Sequence, residues 1–453
     1  MERPDKLPKS FCTAPWVHAY YDSTGQRFPC SIVHMHGSSD RERWNVQRPI
    51  EEWINCDLQK DMRKDMLKGK MLKECDNCNI SFAEQRRVEK VYKDYWNDNY
   101  IDFVDEIYEK TLEDGTTTFE PISFDYRTNI KCNFKCRMCT PFQSSAIYDE
   151  AITHNIEDEV GGTIEYYNKT KLSDIDWIAK KKYEEEILNK EFIQAAESGR
   201  LVDINFAGGE PLLLPIHWEV LDTLIKSNNA QNVELRYQSN LSVIEYKGKA
   251  LKDLAKKFHR CYFQASIDAG GAAGEYLRTG LKWSKWKRNY TDIHNAWKDD
   301  ENRIIIPQMA VSIFSVFGFD ELLQYLAKKE IETIDIQIVC ASQKILLLSP
   351  YVLPSAIKEE WIQYYFSKLK RWENTLHPTV YDHFERFGLH VQKTKDVPGG
   401  TRYWHQIPAI QRRQRKDSYA YLKKYDNIRK TNMDDFLQNI PSLQKWFDTI
   451  RDE

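Results

Sequence analysis

From about residue 121 to residue 340 the chain switches repeatedly between two hydrophobic periodicities. No other feature constrains the fold as strongly. "PISFDYRTNI" reads as a strand, and "LVDINFAGG" alternates Val202, Ile204 and Phe206 before breaking at Gly208–Gly209. "HWEVLDTLIKS" then sets Trp218, Leu221 and Ile225 on one helical face. "NVELRYQSN" alternates again, and "ALKDLAKKF" returns to helical spacing. "CYFQASID" and "RIIIPQMAVSIFS" read as buried strands, with Pro307 implying a bend or bulge in the second. "FDELLQYLAKK" carries Phe319, Leu322, Leu323 and Leu326 on one stripe, and "TIDIQIVC" alternates once more. About six strands interleaved with helices predict an α/β fold, a parallel sheet curled into a partial (β/α)6 TIM-like barrel. Unusual residues fall just past the strand ends: Cys132, Gly208 to Pro211, Ser239–Asn240, and Ser266 to Gly270. In barrels of this kind chemistry sits at that rim.

Three regions follow: a small cysteine-rich α+β domain over 1–100, the barrel over 115–345, and a helical C-terminal region over 346–453. Between the first two barrel strands lies an insertion, about 141–200, whose "KKYEEEILNKEFIQAAESGR" reads as an amphipathic helix stopped by Gly199, its charges on a solvated face. Near the end, "IQRRQRKDSYAYLKKYDNIRK" reads as a solvated basic helix, although interleaved tyrosines also occur at nucleic-acid or acidic-peptide surfaces.

The net charge is −3, from 65 basic and 68 acidic residues, which gives no global pull toward nucleic acid or an anionic membrane. "MERPDKLPKSF" does not read as a signal peptide, and no apolar run reaches the ~18 residues of a membrane span. A cytoplasmic location is expected. There the ten cysteines should be thiols or metal ligands rather than disulfides. Cys56, Cys261 and Cys340 stand alone and read as plain thiols. The rest form two groups. "KCNFKCRMCT" packs Cys132, Cys136 and Cys139 into a C-x3-C-x2-C motif. A closed zinc or iron–sulfur site takes four ligands, so three thiols on a 4Fe–4S cluster would leave one iron open to a substrate or cosubstrate.

This motif at the end of a first barrel strand resembles the radical S-adenosylmethionine superfamily. The resemblance covers about residues 121–340 and implies a 4Fe–4S cluster on Cys132, Cys136 and Cys139, with S-adenosylmethionine at the open iron. One-electron cleavage of the sulfonium then gives a 5′-deoxyadenosyl radical that abstracts a substrate hydrogen. "GGEP" (Gly208, Gly209, Glu210, Pro211) stands where the family has its methionine-binding motif, and Glu210 would meet the ammonium group. Ser239 and Asn240 match a Ser/Thr–Asn pair near the ribose. "SIDAGGAAGEYLRTG" resembles the family's Ser-x-Asp-Gly…Arg segment, giving Ser266 and Asp268 as ribose-side contacts and Arg278 as partner of the methionine carboxylate. Met138 stands where many members carry an aromatic, and Ala269 where many carry Gly.

The N-terminal segment, "FCTAPWVHAYYDSTGQRFPC" followed by a helix and "CDNC", resembles the SPASM and shorter twitch auxiliary-cluster domains of that superfamily. The resemblance implies a second 4Fe–4S cluster on Cys12, Cys30, Cys75 and Cys78, acting as electron relay or substrate ligand. The departure is position, because in most members this domain follows the barrel. A zinc-ribbon-like site on the same thiols is the rival, and His34 or His36 in "HMHG" could join or replace ligands. Overall the resemblance implies an enzyme modifying a peptide or protein side chain, supplied with electrons by a reductant such as flavodoxin or ferredoxin. Oxidation or rearrangement of a sugar, alcohol or nucleotide is the alternative, and a non-catalytic zinc-binding protein the remote one. Neither the substrate nor the oligomeric state is legible.

Overall fold

The computed structural model describes residues 6–8, 10–23, 26–31, 33, 49–75, 100–141, 143–154, 156, 177–338, 346–393 and 412–452. His34, His36, Cys78 and Cys340 lie outside them. The strands are β1 (His18–Tyr21), β2 (Arg27–Phe28), β3 (Ser123–Tyr126), β4 (Lys135–Cys136), β5 (Asp203–Phe206), β6 (Glu234–Ser239), β7 (Glu245–Tyr246), β8 (Lys249–Ala250), β9 (Arg260–Ser266), β10 (Arg278–Thr279), β11 (Arg303–Val311) and β12 (Asp335–Ile338). The longer helices are α1 (Asp57–Leu67), α2 (Tyr100–Glu109), α3 (Ser145–Thr153), α4 (Trp177–Ser198), α5 (Pro215–Lys226), α6 (Gly271–Leu277), α7 (Trp283–Trp297), α8 (Phe319–Lys328), α9 (Ser355–Lys370), α10 (Pro378–Lys393), α11 (Arg412–Arg429) and α12 (Pro441–Asp452). Among the described residues the central sheet is mostly parallel and has eight strands. No helix among the described residues is long and apolar enough to cross a membrane.

The chain divides into two compact units. The first comprises Met1–Ile130, Ile175–Arg236 and Lys257–Arg260. In it β1 pairs antiparallel with β2 and parallel with β3, and β3 pairs parallel with β5. The period-2 alternation of a strand gives this part of the sheet two unlike faces. Phe124, Tyr126 and Phe206 pack under Phe192 of α4, with ring centroids 4.5 to 5.8 Å apart. The charges of α4 are not all solvated. Glu191 accepts from buried Arg27 at 2.5 Å and from the Tyr21 hydroxyl at 2.6 Å. On the opposite face His18, Ser123 and Asp203 stand in register across three strands. Ser123 Oγ donates to Asp203 at 2.6 Å and therefore accepts from His18 Nδ1–H at 2.7 Å. A separate apolar cluster joins Phe11, Trp16, Met62, Met66, Phe103 and Ile107. Arg63 of α1 ties it to its surroundings, donating to the carbonyls of Gly115 and Pro15 and to Asn55.

The second unit comprises Lys131–Asp174, Tyr237–Lys256 and Cys261–Glu453. Its strands β9, β11 and β12 pair in parallel. Pro307 lies inside β11 without a bulge, since the register to β9 runs unbroken from Arg303 to Gln308. The Gln308 carbonyl accepts from Ile267 N–H, so Pro307 turns its missing donor toward the other edge, where β12 pairs only from Gln308 onward. The apolar stripe of α8 is buried as its spacing predicts, at Phe319, Leu322, Leu323 and Leu326. The other face of these strands is polar. Asp335 Oδ2 accepts from the side-chain amides of Gln264, Gln308 and Gln337 at 2.9, 3.0 and 3.0 Å. The C-terminal helices bury Trp361, Tyr365, Phe384 and Phe447.

Burial pushes the His18 pKa down to about 4, against a partial opposing pull from Asp125. The folded chain keeps this imidazole neutral where the unfolded chain protonates it, so the unfolded state binds more protons between about pH 6.5 and 4. Stability present above pH 6.5 is lost through that window, by about 3 kcal/mol from this group. Urea midpoints followed across the window should fall, and His18→Asn should flatten the slope. An unchanged slope in that variant would refute the assignment.

Candidate functional site

The three-cysteine loop begins five residues after β3 ends and is fixed by backbone contacts on several sides. Ser145, at the start of α3, bonds the Cys132 N–H at 3.1 Å, and Ser144 Oγ donates to the Phe134 carbonyl at 2.7 Å. β4 pairs antiparallel with β10, which places Cys136 opposite Arg278. The Arg137 N–H donates to the Leu277 carbonyl, and the Cys139 N–H to the Cys136 carbonyl. Gly280 lets the two stretches pass closely. Its φ is +108°, and a Cβ there would stand 2.9 Å from the Phe134 ring and 3.0 Å from the Asn133 carbonyl oxygen.

The thiols sit among donors. Asn240 Nδ2 lies 3.8 Å from Cys132 Sγ and also donates to Asn133 Oδ1 at 3.1 Å. Arg278 Nη1 lies 3.8 Å from Cys136 Sγ. Cys136 is drawn below the ordinary thiol range, first by a hydrogen bond from Cys139 and then, against burial, by the Arg278 charge. Cys139 is pushed up, first by that same bond and by burial, with smaller contributions from the neighbouring Cys136 and Cys132. Among the described residues no three His, Cys, Asp or Glu side chains converge as a single-ion site. A 4Fe–4S cube asks for something different, since each thiolate takes its own iron and the sulfurs face a shared volume rather than a point. Three mutually interacting thiols flanked by a guanidinium and an amide suit that demand.

Asp268 is fully buried at the end of β9. Its two oxygens take the Nε and Nη2 edge of Arg278 at 2.7 and 2.9 Å, and Oδ1 also accepts the Ala310 N–H at 3.1 Å. Arg278 is thereby held with Nη1 toward the thiols, and Asp268 acts on it as a positioning group. Ser239 accepts the Leu241 N–H and Asn240 accepts the Ser242 N–H, forming a tight turn in which Leu241 has φ +60°. Ser266 is half-buried in register with Gln308.

Within the first unit, Gly208 and Gly209 pack on the stretch that runs into the cysteine loop. The Gly209 N–H donates to the Asn129 carbonyl at 3.1 Å. Gly208 has φ +110°, and a Cβ there would meet that carbonyl oxygen at 3.1 Å and the Arg127 Cα at 3.3 Å. Glu210 is fully buried and caps the turn Pro211–Leu213 through the Leu212 N–H. Cys12, Cys30 and Cys75 are half-buried against one apolar cluster, that of Phe11, Trp16 and Met66.

Sequence reasoning missed the partners of the loop that lie far along the chain. Arg137 pairs with Asp426 at 2.6 Å, and Arg429 pairs with Glu150 at 2.7 Å. Arg429 is buried, which corrects the reading of this basic run as wholly solvated. The one available signal was the position of Arg137 between two motif cysteines.

No family model matches the chain, and no curated protein matches it. Among solved structures it is similar to native anSMEcpe with bound AdoMet and the Kp18Cys peptide, at 14% identity over 55% of this chain and 61% of that one, with a TM-score of 0.32. It is also similar to native anSMEcpe with bound AdoMet, at 15% identity over 55% and 62%, with a TM-score of 0.33. TYW1 with a lysine–pyruvate adduct bound matches at 12% identity over 54% and 70%, with a TM-score of 0.27. The chain thus spans about three fifths of the anSMEcpe chain.

Removing the charge of Asp268 strands a buried guanidinium. Asp268→Asn should cost about 3 kcal/mol in denaturant unfolding at neutral pH. A loss below about 1 kcal/mol would mean that Arg278 does not depend on this partner.

Proposed function

We propose that this chain is a radical S-adenosylmethionine enzyme that acts on a peptide or protein side chain. The observation that carries the radical reading is the meeting of Cys132, Cys136 and Cys139 with Asn240 and Arg278, residues that come from three separate strand ends. Their order along the chain is the one the superfamily resemblance implies. A cluster on these thiols would supply the electron that splits the bound sulfonium.

The remaining roles belong to the chain. Asp268 orients Arg278 so that Nη1 can receive the methionine carboxylate. Arg278 and Asn240 also donate toward two of the three sulfurs, and donors at ligated sulfurs stabilise the reduced state of a cluster. The Gly208–Gly209 backbone would approach the methionine end. The polar strand face of the second unit, with Gln264, Gln308 and Asp335, would hold a polar substrate. The preference for a peptide rests on the resemblance of the N-terminal segment to SPASM and twitch domains. On that reading a second 4Fe–4S cluster sits on Cys12, Cys30, Cys75 and Cys78, with a reductant such as flavodoxin or ferredoxin feeding electrons in.

Anaerobically reconstituted protein should contain about eight iron and eight sulfide ions per chain. Colourless protein holding zinc would overturn the reading. Cys132→Ala should abolish reductive formation of 5′-deoxyadenosine, measured chromatographically. Cys75→Ala should retain part of it while losing product from candidate peptides. 5′-Deoxyadenosine from Cys132→Ala would show the site to be elsewhere.

A further inference from the structure

Arg137 stands inside the cysteine motif, yet its side chain turns away from the sulfurs and toward the C-terminal region. Nη2 donates to Asp426 Oδ1 at 2.6 Å and to Thr431 Oγ1 at 2.7 Å, while Nε donates to the Tyr276 carbonyl at 3.0 Å. The guanidinium carbon lies 3.8 Å from the centroid of the Tyr276 ring. Both ionic partners are almost wholly buried, at 1% and 2% exposure. The second oxygen of Asp426 accepts the Met433 N–H at 2.8 Å. One helical turn on, Arg429 gives Nη2 and Nε to Glu150 Oε2 at 2.7 and 3.1 Å and Nη1 to the Lys135 carbonyl at 2.9 Å. Lys135 in turn donates to Glu150 Oε1 at 2.9 Å. The residues on both sides of Cys136 are therefore held by one helix end, and Arg137 itself also holds the Tyr276 carbonyl, two residues before Arg278.

From this we infer that the end of α11 is a positioning element for the three-cysteine loop, with Arg137–Asp426 and Arg429–Glu150 as its two clamps. The inference rests on the proposed radical reading of that loop. Buried ion pairs add little net stability over apolar packing of the same volume, because desolvation offsets their attraction. What they add is direction: the planar Arg137 fork reaches out from the loop to Asp426, and the planar Arg429 fork reaches in from the helix to Glu150 and the Lys135 carbonyl. Lysine lacks the planar fork by which Arg429 sets Nε and Nη2 on one carboxylate and Nη1 on a backbone carbonyl.

The test uses the full chain and the variants Asp426→Asn, Asp426→Glu and Arg429→Lys. In metal-free protein, iodoacetamide labelling resolved by mass spectrometry should show Cys132, Cys136 and Cys139 reacting about tenfold faster in Asp426→Asn and Arg429→Lys, with Cys12 and Cys261 unchanged. Asp426→Glu should restore most of the protection. In reconstituted protein, the change that S-adenosylmethionine causes in the paramagnetic resonance of the reduced cluster should broaden or vanish in the same two variants. If Asp426→Asn does not fold, Arg429→Lys decides. Equal acceleration at all five cysteines would reveal general loosening and overturn the positioning role, as would motif cysteines that keep their wild-type rates. A wild-type chain that shows no response to S-adenosylmethionine would sink the radical reading instead, and the labelling alone would then judge the clamp.

Discussion

The pairing of Cys136 with Arg278 across β4 and β10 is the contact on which the candidate site depends. It joins a loop at the end of one strand to a segment beyond the end of another, and it sets a cation beside a thiol. Arg278 remains there because fully buried Asp268 takes one whole edge of its guanidinium. A lone buried cation would cost several kcal/mol, and the bidentate carboxylate removes most of that cost. The geometry of the thiols is thus inherited from a strand end through a chain of two contacts, carboxylate to guanidinium to sulfur.

The strands were legible because each alternates or runs apolar over its length and stops at a polar or glycine break. β3, β5, β6, β11 and β12 fall within the stretches that the periodicity marks, and β9 begins one residue ahead of its stretch, at Arg260. A bulge at Pro307 was the exception, since the register passes through it unbroken. A proline interrupts a ladder only when its nitrogen faces a paired neighbour, and the sequence does not say which edge that is. The motif residues were legible as types at strand ends. Their individual duties were less so: Asp268 and Ser239 spend their oxygens on Arg278, Ala310 and Leu241 within the protein. Least legible were the partners separated by about 280 or more residues, since Asp426 and Arg429 sit in a run whose composition reads as ordinary surface helix. Periodicity reports which face is buried, and it is silent about which charge crosses to meet a partner from another segment.

The sheet divides its labour by face. Where Phe124, Tyr126 and Phe206 meet Phe192, apolar burial supplies stability at about 1.5–3 kcal/mol for a fully buried large side chain. The other face is lined with groups that are costly to bury unless paired, and they are paired: Ser123 with Asp203, Asp125 with Arg127, and Asp335 with three glutamine amides. Such a face contributes less to folding than an apolar one would.

The parallel pairing of β1 with β3 bears on the N-terminal cysteines. Two parallel neighbours cannot be joined by a tight turn and need a crossover. Here the crossover runs from residue 22 to residue 122, and it contains Cys30, Cys75 and Cys78, with Cys12 just ahead of β1. The cysteine-bearing segment is therefore an excursion of the sheet that leaves and returns through hydrogen-bonded strands. Its apolar cluster, reaching from Phe11 and Trp16 beside β1 to Tyr108 at the end of α2, ties down both ends of that excursion. Cys12, Cys30 and Cys75, far apart in sequence, all pack half-buried against this one cluster.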